Sequence, residues 1–124
     1  MKLLPANERS ADNAKWLQLS NDTDPLTVSL EGIERIELVF PKFTDGRAYS
    51  QAFMLRRRCG FKGDLRATGD VLIDQLALMQ RSGFSSAVLR ADQNLAHGEK
   101  LLKHFSAYYQ GDAVTVAPLF ARTA

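Results

Sequence analysis

The chain of 124 residues carries one cysteine, two histidines and no run of eighteen apolar residues. Each scarcity excludes something. A lone Cys59 forms neither an intrachain disulfide nor a CxxC redox pair. Without a long apolar run, no transmembrane helix is expected. The opening residues Met1 to Pro5 lack the apolar core of a secretory signal. The absence of signal, anchor and cystine predicts a cytoplasmic protein. No GxGxxG, P-loop or GxSxG motif occurs, and Gly60, Gly63 and Gly69 read as helix stops and turns. No flavin, nicotinamide or other cofactor is therefore predicted. His97 and His104 lie seven residues apart with no carboxylate at i+3 or i+4, so no metal site is predicted either. Cys59 falls at a predicted helix C-terminus, where the negative dipole end disfavours a thiolate.

What is present is ordinary globular composition, 45% hydrophobic and 24% charged, enough for one domain with a small core. The formal net charge of +2 hides an asymmetry. Residues 1–41 are acidic overall, residues 67–124 are balanced, and residues 42–66 hold seven cations against Asp45 and Asp64. A basic segment of this kind attracts an oxyanion, a nucleic acid or an acidic protein face. It also suits the C-terminal end of a helix, where the dipole favours cations.

The pattern divides into a polar arm over residues 1–25, an α/β domain over 26–112 and a tail over 113–124. Trp16, Leu17 and Leu19 pin the arm to the domain, and residues 27–30 alternate as a short strand or edge segment. Three strand–helix units follow. The strands are expected over 36–40, 64–68 and 87–91, and the helices over 47–59, 71–82 and from Asp92 to about Tyr109. Thr44 or Asp45 would cap the first helix and Asp70 the second. Gly60 with Phe61, and Gly83 with Phe84, end the first two in the manner of a Schellman motif, while Gly111 stops the third. Residues 58–67 and 81–91 resemble one another at an offset of 23 to 24, the length of one strand plus one helix. Such units run parallel with right-handed crossovers. The expected fold is a small parallel α/β sheet of three or four strands. The alternative is a partial (β/α) barrel-like segment, which would need a partner, such as a second copy of the chain, to close.

Sites in parallel sheets form beyond the C-terminal ends of the strands. That rule selects Lys42, Thr44, Asp45, Gly46 and Arg47 after the first strand. It selects Thr68, Gly69 and Asp70 after the second, and Asp92 and Gln93 after the third. Arg66 and Arg90 occupy equivalent positions of the repeat. Two readings stay open. In one, Arg47, Arg66 and Arg90 converge with the helix N-termini near Gly46 and Gly69 on a sulfite, sulfate or phosphate. In the other, Asp45, Asp70 and Asp92 pair with the arginines and cap helices. Tyr49 borders the same region, although helical spacing turns it, and most of Phe43, Phe53 and Phe61, toward the core. That spacing counts against nucleic acid as the partner.

Residues 40–84 carry a dense pattern. It comprises Phe40, Pro41, Phe43, Thr44, Asp45, Gly46, Arg47, Tyr49 and Ser50, then Gly60, Phe61, Gly63, Leu65, Arg66, Ala67, Gly69, Asp70, Val71, Leu72, Asp74, Gln75 and Leu76. This resembles an uncharacterised bacterial family labelled as oxidoreductases of sulfite reduction, over roughly residues 33–110. In that family a further strand–helix segment precedes the part corresponding to residue 33. The resemblance implies a place beside the sulfite reductase haemoprotein in assimilatory sulfate and sulfite reduction. It leaves two functions open. One is an accessory protein that binds an oxyanion, the haemoprotein or both. The other is a small oxidoreductase or electron-transfer subunit, which a coloured preparation or release of flavin or haem on denaturation would reveal.

Overall fold

A computed structural model describes residues 1–6, 15–42 and 44–106. Five strands, β1 (Lys2–Leu4), β2 (Trp16–Leu19), β3 (Arg35–Phe40), β4 (Asp64–Gly69) and β5 (Ser86–Val88), form one sheet in the order β1-β5-β4-β3-β2. All four pairings are parallel. Three helices, α1 (Arg47–Arg57), α2 (Leu76–Ser82) and α3 (Leu95–Ser106), alternate with β3, β4 and β5. From β2 to β5 each strand lies beside its successor. Right-handed crossovers between such neighbours put every helix on the same face, and α1 packs on α2, and α2 on α3.

Strand periodicity explains the two faces. In β3, Ile36, Leu38 and Phe40 alternate with Arg35, Glu37 and Val39, and side chains two apart share a face. The apolar set joins Leu65 and Ala67 of β4 and Ala87 of β5 in one core with Ala48, Ala52 and Leu55 of α1 and Leu76 and Met79 of α2. Register places Glu37 beside Arg66, and Arg66 beside Ser86, on the opposite face. Phe40, Tyr49 and Phe84 close the core's upper end, with Phe40 and Tyr49 edge to face at 5.0 Å.

The architecture is the predicted parallel α/β class, with five strands in place of three or four. The extra two come from the stretch read as a loose arm. Both are short, and β2 exposes Trp16 and Gln18 while burying only Leu19, so little periodicity marks them. The sheet is open; it has the strand succession and one-sided helices of a barrel segment without closing. Residues 27–30 form no strand, and a 3-10 turn over Pro25–Thr27, capped by the Asp24 carboxylate, stands there instead. The second helix begins at Leu76, after a 3-10 turn over Ile73–Gln75, rather than at Val71. It ends as expected. Gly83 takes φ 114, and the N–H groups of Gly83 and Phe84 donate to Gln80 and Met79 carbonyls, the paired bonds of a Schellman ending. Phe43, the extension of α3 to Tyr109, the stop at Gly111 and the tail over 113–124 lie outside the described residues.

Candidate functional site

Beyond the C-terminal ends of the strands, the predicted residues separate into distinct groups. Lys42 and Thr44 are exposed on the turn after β3. The Asp45 carboxylate accepts from the Arg47 backbone N–H at 3.0 Å and from its guanidinium at 2.8 and 3.2 Å. Asn21, on the loop after β2, donates to the same carboxylate at 2.5 Å. The Arg47 contacts hold the Asp45 carboxyl down at about 2, and Asp45 in turn raises the Arg47 guanidinium. Gly46 is the N-cap of α1 and has no side chain to cap it, and the Asp45 carboxylate just before it takes the first N–H of the helix, that of Arg47.

A second group forms after β4 and β5. Arg90 donates to both oxygens of Asp92, at 2.7 and 2.6 Å, and to Asp70 at 2.7 Å. These bonds lower the Asp92 carboxyl and raise the Arg90 guanidinium. Gly69 closes β4 at φ 93, and a Cβ there would collide with the Phe40 carbonyl oxygen. It does not open a helix, since α2 starts seven residues later. The Asp70 N–H is committed to the Phe40 carbonyl at 2.8 Å. Asp70 thus holds Arg90 instead of capping α2.

Arg66 belongs to neither group. It registers with Ser86 inside the sheet, so it is not the structural equivalent of Arg90. On the polar face it is 5% exposed, donating to Ser86 Oγ at 3.0 Å and Asp64 at 3.2 Å. Ser86 completes the set by donating to Asp64 at 2.8 Å. β4 separates β3 from β5, so the Arg47 and Arg90 loops stand about two strand spacings apart, roughly 10 Å. Arg47 turns toward the β2 side and Arg90 toward Asp70. The three arginines are not brought together.

Sequence reasoning missed three features. Gln51 is 4% exposed, and its amide donates to the Ser20 and Thr23 carbonyls, both at 2.8 Å, fastening α1 to the loop after β2. Arg35 lies over Trp16 at 5.6 Å and against Glu37 at 3.5 Å, adding to the polar sheet face. The strict alternation of β3 was the available signal. Arg56, in the last turn of α1, donates to the carbonyls of Gly83, Phe61 and Gly63 at 2.9, 3.0 and 2.6 Å. Burial lowers its guanidinium from the ordinary arginine value. It bridges the ends of α1 and α2, a link that no local pattern announces.

The fold also parts the basic segment. At the C-terminal ends of the strands, Asp22, Asp24, Asp45, Asp70 and Asp92 outnumber Lys42, Arg47 and Arg90. At the opposite end, Arg56, Arg57, Arg58, Lys62 and Arg81 gather around the C-termini of α1 and α2, with Lys15 before β2. Among the described residues, Glu31, Glu34 and Asp64 are the carboxylates there. Both arrangements complement the helix dipoles. Cavities of about 350 Å³ beside Arg90 and Gln93 and about 380 Å³ beside Arg47, Ser50 and Gln51 adjoin the acidic end. Among the described residues, no three or more His, Cys, Asp or Glu are grouped to hold a metal ion, and no helix is long and apolar enough to cross a membrane.

These features define an open, singly wound parallel α/β domain, polar on one sheet face and helical on the other. The chain belongs to a bacterial family of proteins of unknown function, DUF934, whose model matches residues 14–120. No curated protein and no solved structure matches it.

Proposed function

We propose that the protein is an accessory component of assimilatory sulfite reduction that acts by docking on the sulfite reductase haemoprotein. The resemblance of residues 40–84 supplies the pathway. The parting of charge carries the mode of action. Arg58 and Lys62 are exposed among the cations collected at one end, where an acidic protein face is their natural counterpart. At the other end, Arg47 and Arg90 are already matched by Asp45, Asp70 and Asp92. A free oxyanion there has to displace a carboxylate.

Co-migration with the haemoprotein at low and high salt tests this reading. Binding at low salt that weakens steeply with added salt is expected, because exposed charges are screened beyond about 10 Å at 0.1 M. No binding at low salt refutes it. Titration with sulfite, sulfate and phosphate tests the oxyanion mode separately. Weak binding that strengthens in Asp45→Asn or Asp92→Asn would show the arginines to be usable once released.

A further inference from the structure

The outer side of the helical layer carries more than charge. Phe53, on α1, is 48% exposed, and Leu78, on α2, is 43% exposed. Both lie on the solvent side of the helical layer, since α1 buries Ala48, Gln51, Ala52 and Leu55, and α2 buries Leu76, Met79 and Ser82. The Arg57 guanidinium lies over the Phe53 ring at 5.4 Å. Arg58 and Lys62 are exposed just beyond, and Arg81 follows Leu78 by one turn. α1 and α2 pack side by side and the Arg56 bond to the Gly83 carbonyl ties their ends together, so these side chains stand on the outer side of one helical layer. Two large apolar groups within a basic rim are the composition of a protein-docking surface: apolar anchors supply affinity, and surrounding charge supplies selection and encounter rate. A phosphate or sulfate ion would use the cations and leave Phe53 and Leu78 idle.

We infer that the outer face of α1 and α2, centred on Phe53 and Leu78 and rimmed by Arg57, Arg58, Lys62 and Arg81, takes an acidic amphipathic helix of another protein. The apolar stripe of that helix lies on Phe53 and Leu78, and its carboxylates meet the rim. The inference rests on the docking reading above only for the identity of the protein that carries the helix.

Two probes keep the ideas separable. The first is a labelled synthetic peptide of leucine and glutamate at amphipathic helical spacing, with a control of equal charge in which serine replaces leucine. Anisotropy titration against the intact chain is expected to show binding of the first and at least tenfold weaker binding of the control. The double variant Phe53→Ala, Leu78→Ala should weaken the peptide about tenfold, roughly the loss of one good anchor. Arg58→Glu with Lys62→Glu should weaken it similarly and flatten its salt dependence. All four positions are exposed, and unchanged far-UV circular dichroism and thermal midpoint confirm folding. Equal binding of peptide and control, or variants within twofold of the parent, overturns the inference. The second probe is the haemoprotein itself. Peptide binding without haemoprotein binding supports this face and refutes the sulfite reductase reading. Haemoprotein binding that the variants leave unchanged keeps that reading and overturns this face.

Discussion

At the C-terminal ends of the strands, Arg47 and Arg90 reach out to carboxylates; at the N-terminal ends, Arg56 reaches in to three backbone carbonyls. Arg47 is exposed and Arg90 half-buried, with side-chain accessibilities of 63% and 40%, and water reaches both pairings. Such pairs contribute little to stability and are screened by salt. Arg56 is half-buried, and its acceptors are neutral and fixed by the chain itself. One end therefore spends its arginines on balancing charge in loops, and the other uses one to join two helix ends. The residue type is the same. Its effect follows from burial and from the kind of acceptor.

Removing Arg56 is the strongest way to break this contrast. Arg56→Ala leaves three carbonyls without their donor and should cost about 3 kcal/mol by denaturant unfolding. Arg56→Lys should recover only part, since a compact ammonium lacks the guanidinium fork. A loss as small as that of Arg90→Ala would erase the difference between the two ends. Arg66→Ala comes next, at roughly 2 kcal/mol, because it takes a charged donor from both Asp64 and Ser86 on the sheet's polar face while leaving their own bond in place. Arg90→Ala should lower the thermal midpoint less than either, with the deficit vanishing in high salt. A deficit that persists would place the Asp70–Arg90–Asp92 contacts among the structural ones.

The smallest expected effect is in pH. The folded-state carboxyls of Asp45 and Asp92 lie below their ordinary value, Asp45 at about 2. Depressed carboxyls contribute stability that is fully present above the unfolded value near 3.8. It is lost as pH falls toward and through the folded value. The parent should therefore lose thermal stability between about pH 4 and 2, and Asp45→Asn should lose less over the same window. Parallel pH profiles for the two would show Asp45 to be uncoupled from folding.

Much of this architecture was legible where one stretch of chain sufficed. The alternation of residues 36–40 named the first core strand. The Gly–Phe pair at 83–84 named the end of α2, because a left-handed glycine followed by an apolar residue is a local device. At 60–61 the glycine is also left-handed, but α1 has already stopped at Arg57, and the Phe61 N–H donates to the Leu55 carbonyl instead of closing a Schellman pair. What escaped depended on partners far along the chain. The match of Arg66 with Arg90 followed the sequence repeat, whose offset reaches 24. Strand pairing aligns Arg66 with Ser86 instead, and ladder register, set by hydrogen bonds across strands, overrode the likeness. The local pattern predicts Asp70 as a helix cap, yet Arg90, twenty residues on, claims its carboxylate. Of the candidate site, the pairing of Arg47 with Asp45 and of Arg90 with Asp70 and Asp92 was among the readings left open. The convergence of three arginines was another, and the sheet sets them apart.

The place of β1 has a consequence for assembly of the fold. From β3 to β5, each strand pairs with the one just before it, across spans that one helix or turn can close. The β1 pairing joins Lys2 to Ser86 and Leu4 to Val88, nearly the full described length of chain, through three residue pairs. Loop closure of that span is entropically the most expensive step, and three residue pairs are its whole return. The four-strand succession has the contacts to form first, and β1 joins it late. In the native state that same seam opens most readily, and amide exchange should be fastest along it while the paired centre of the sheet remains protected.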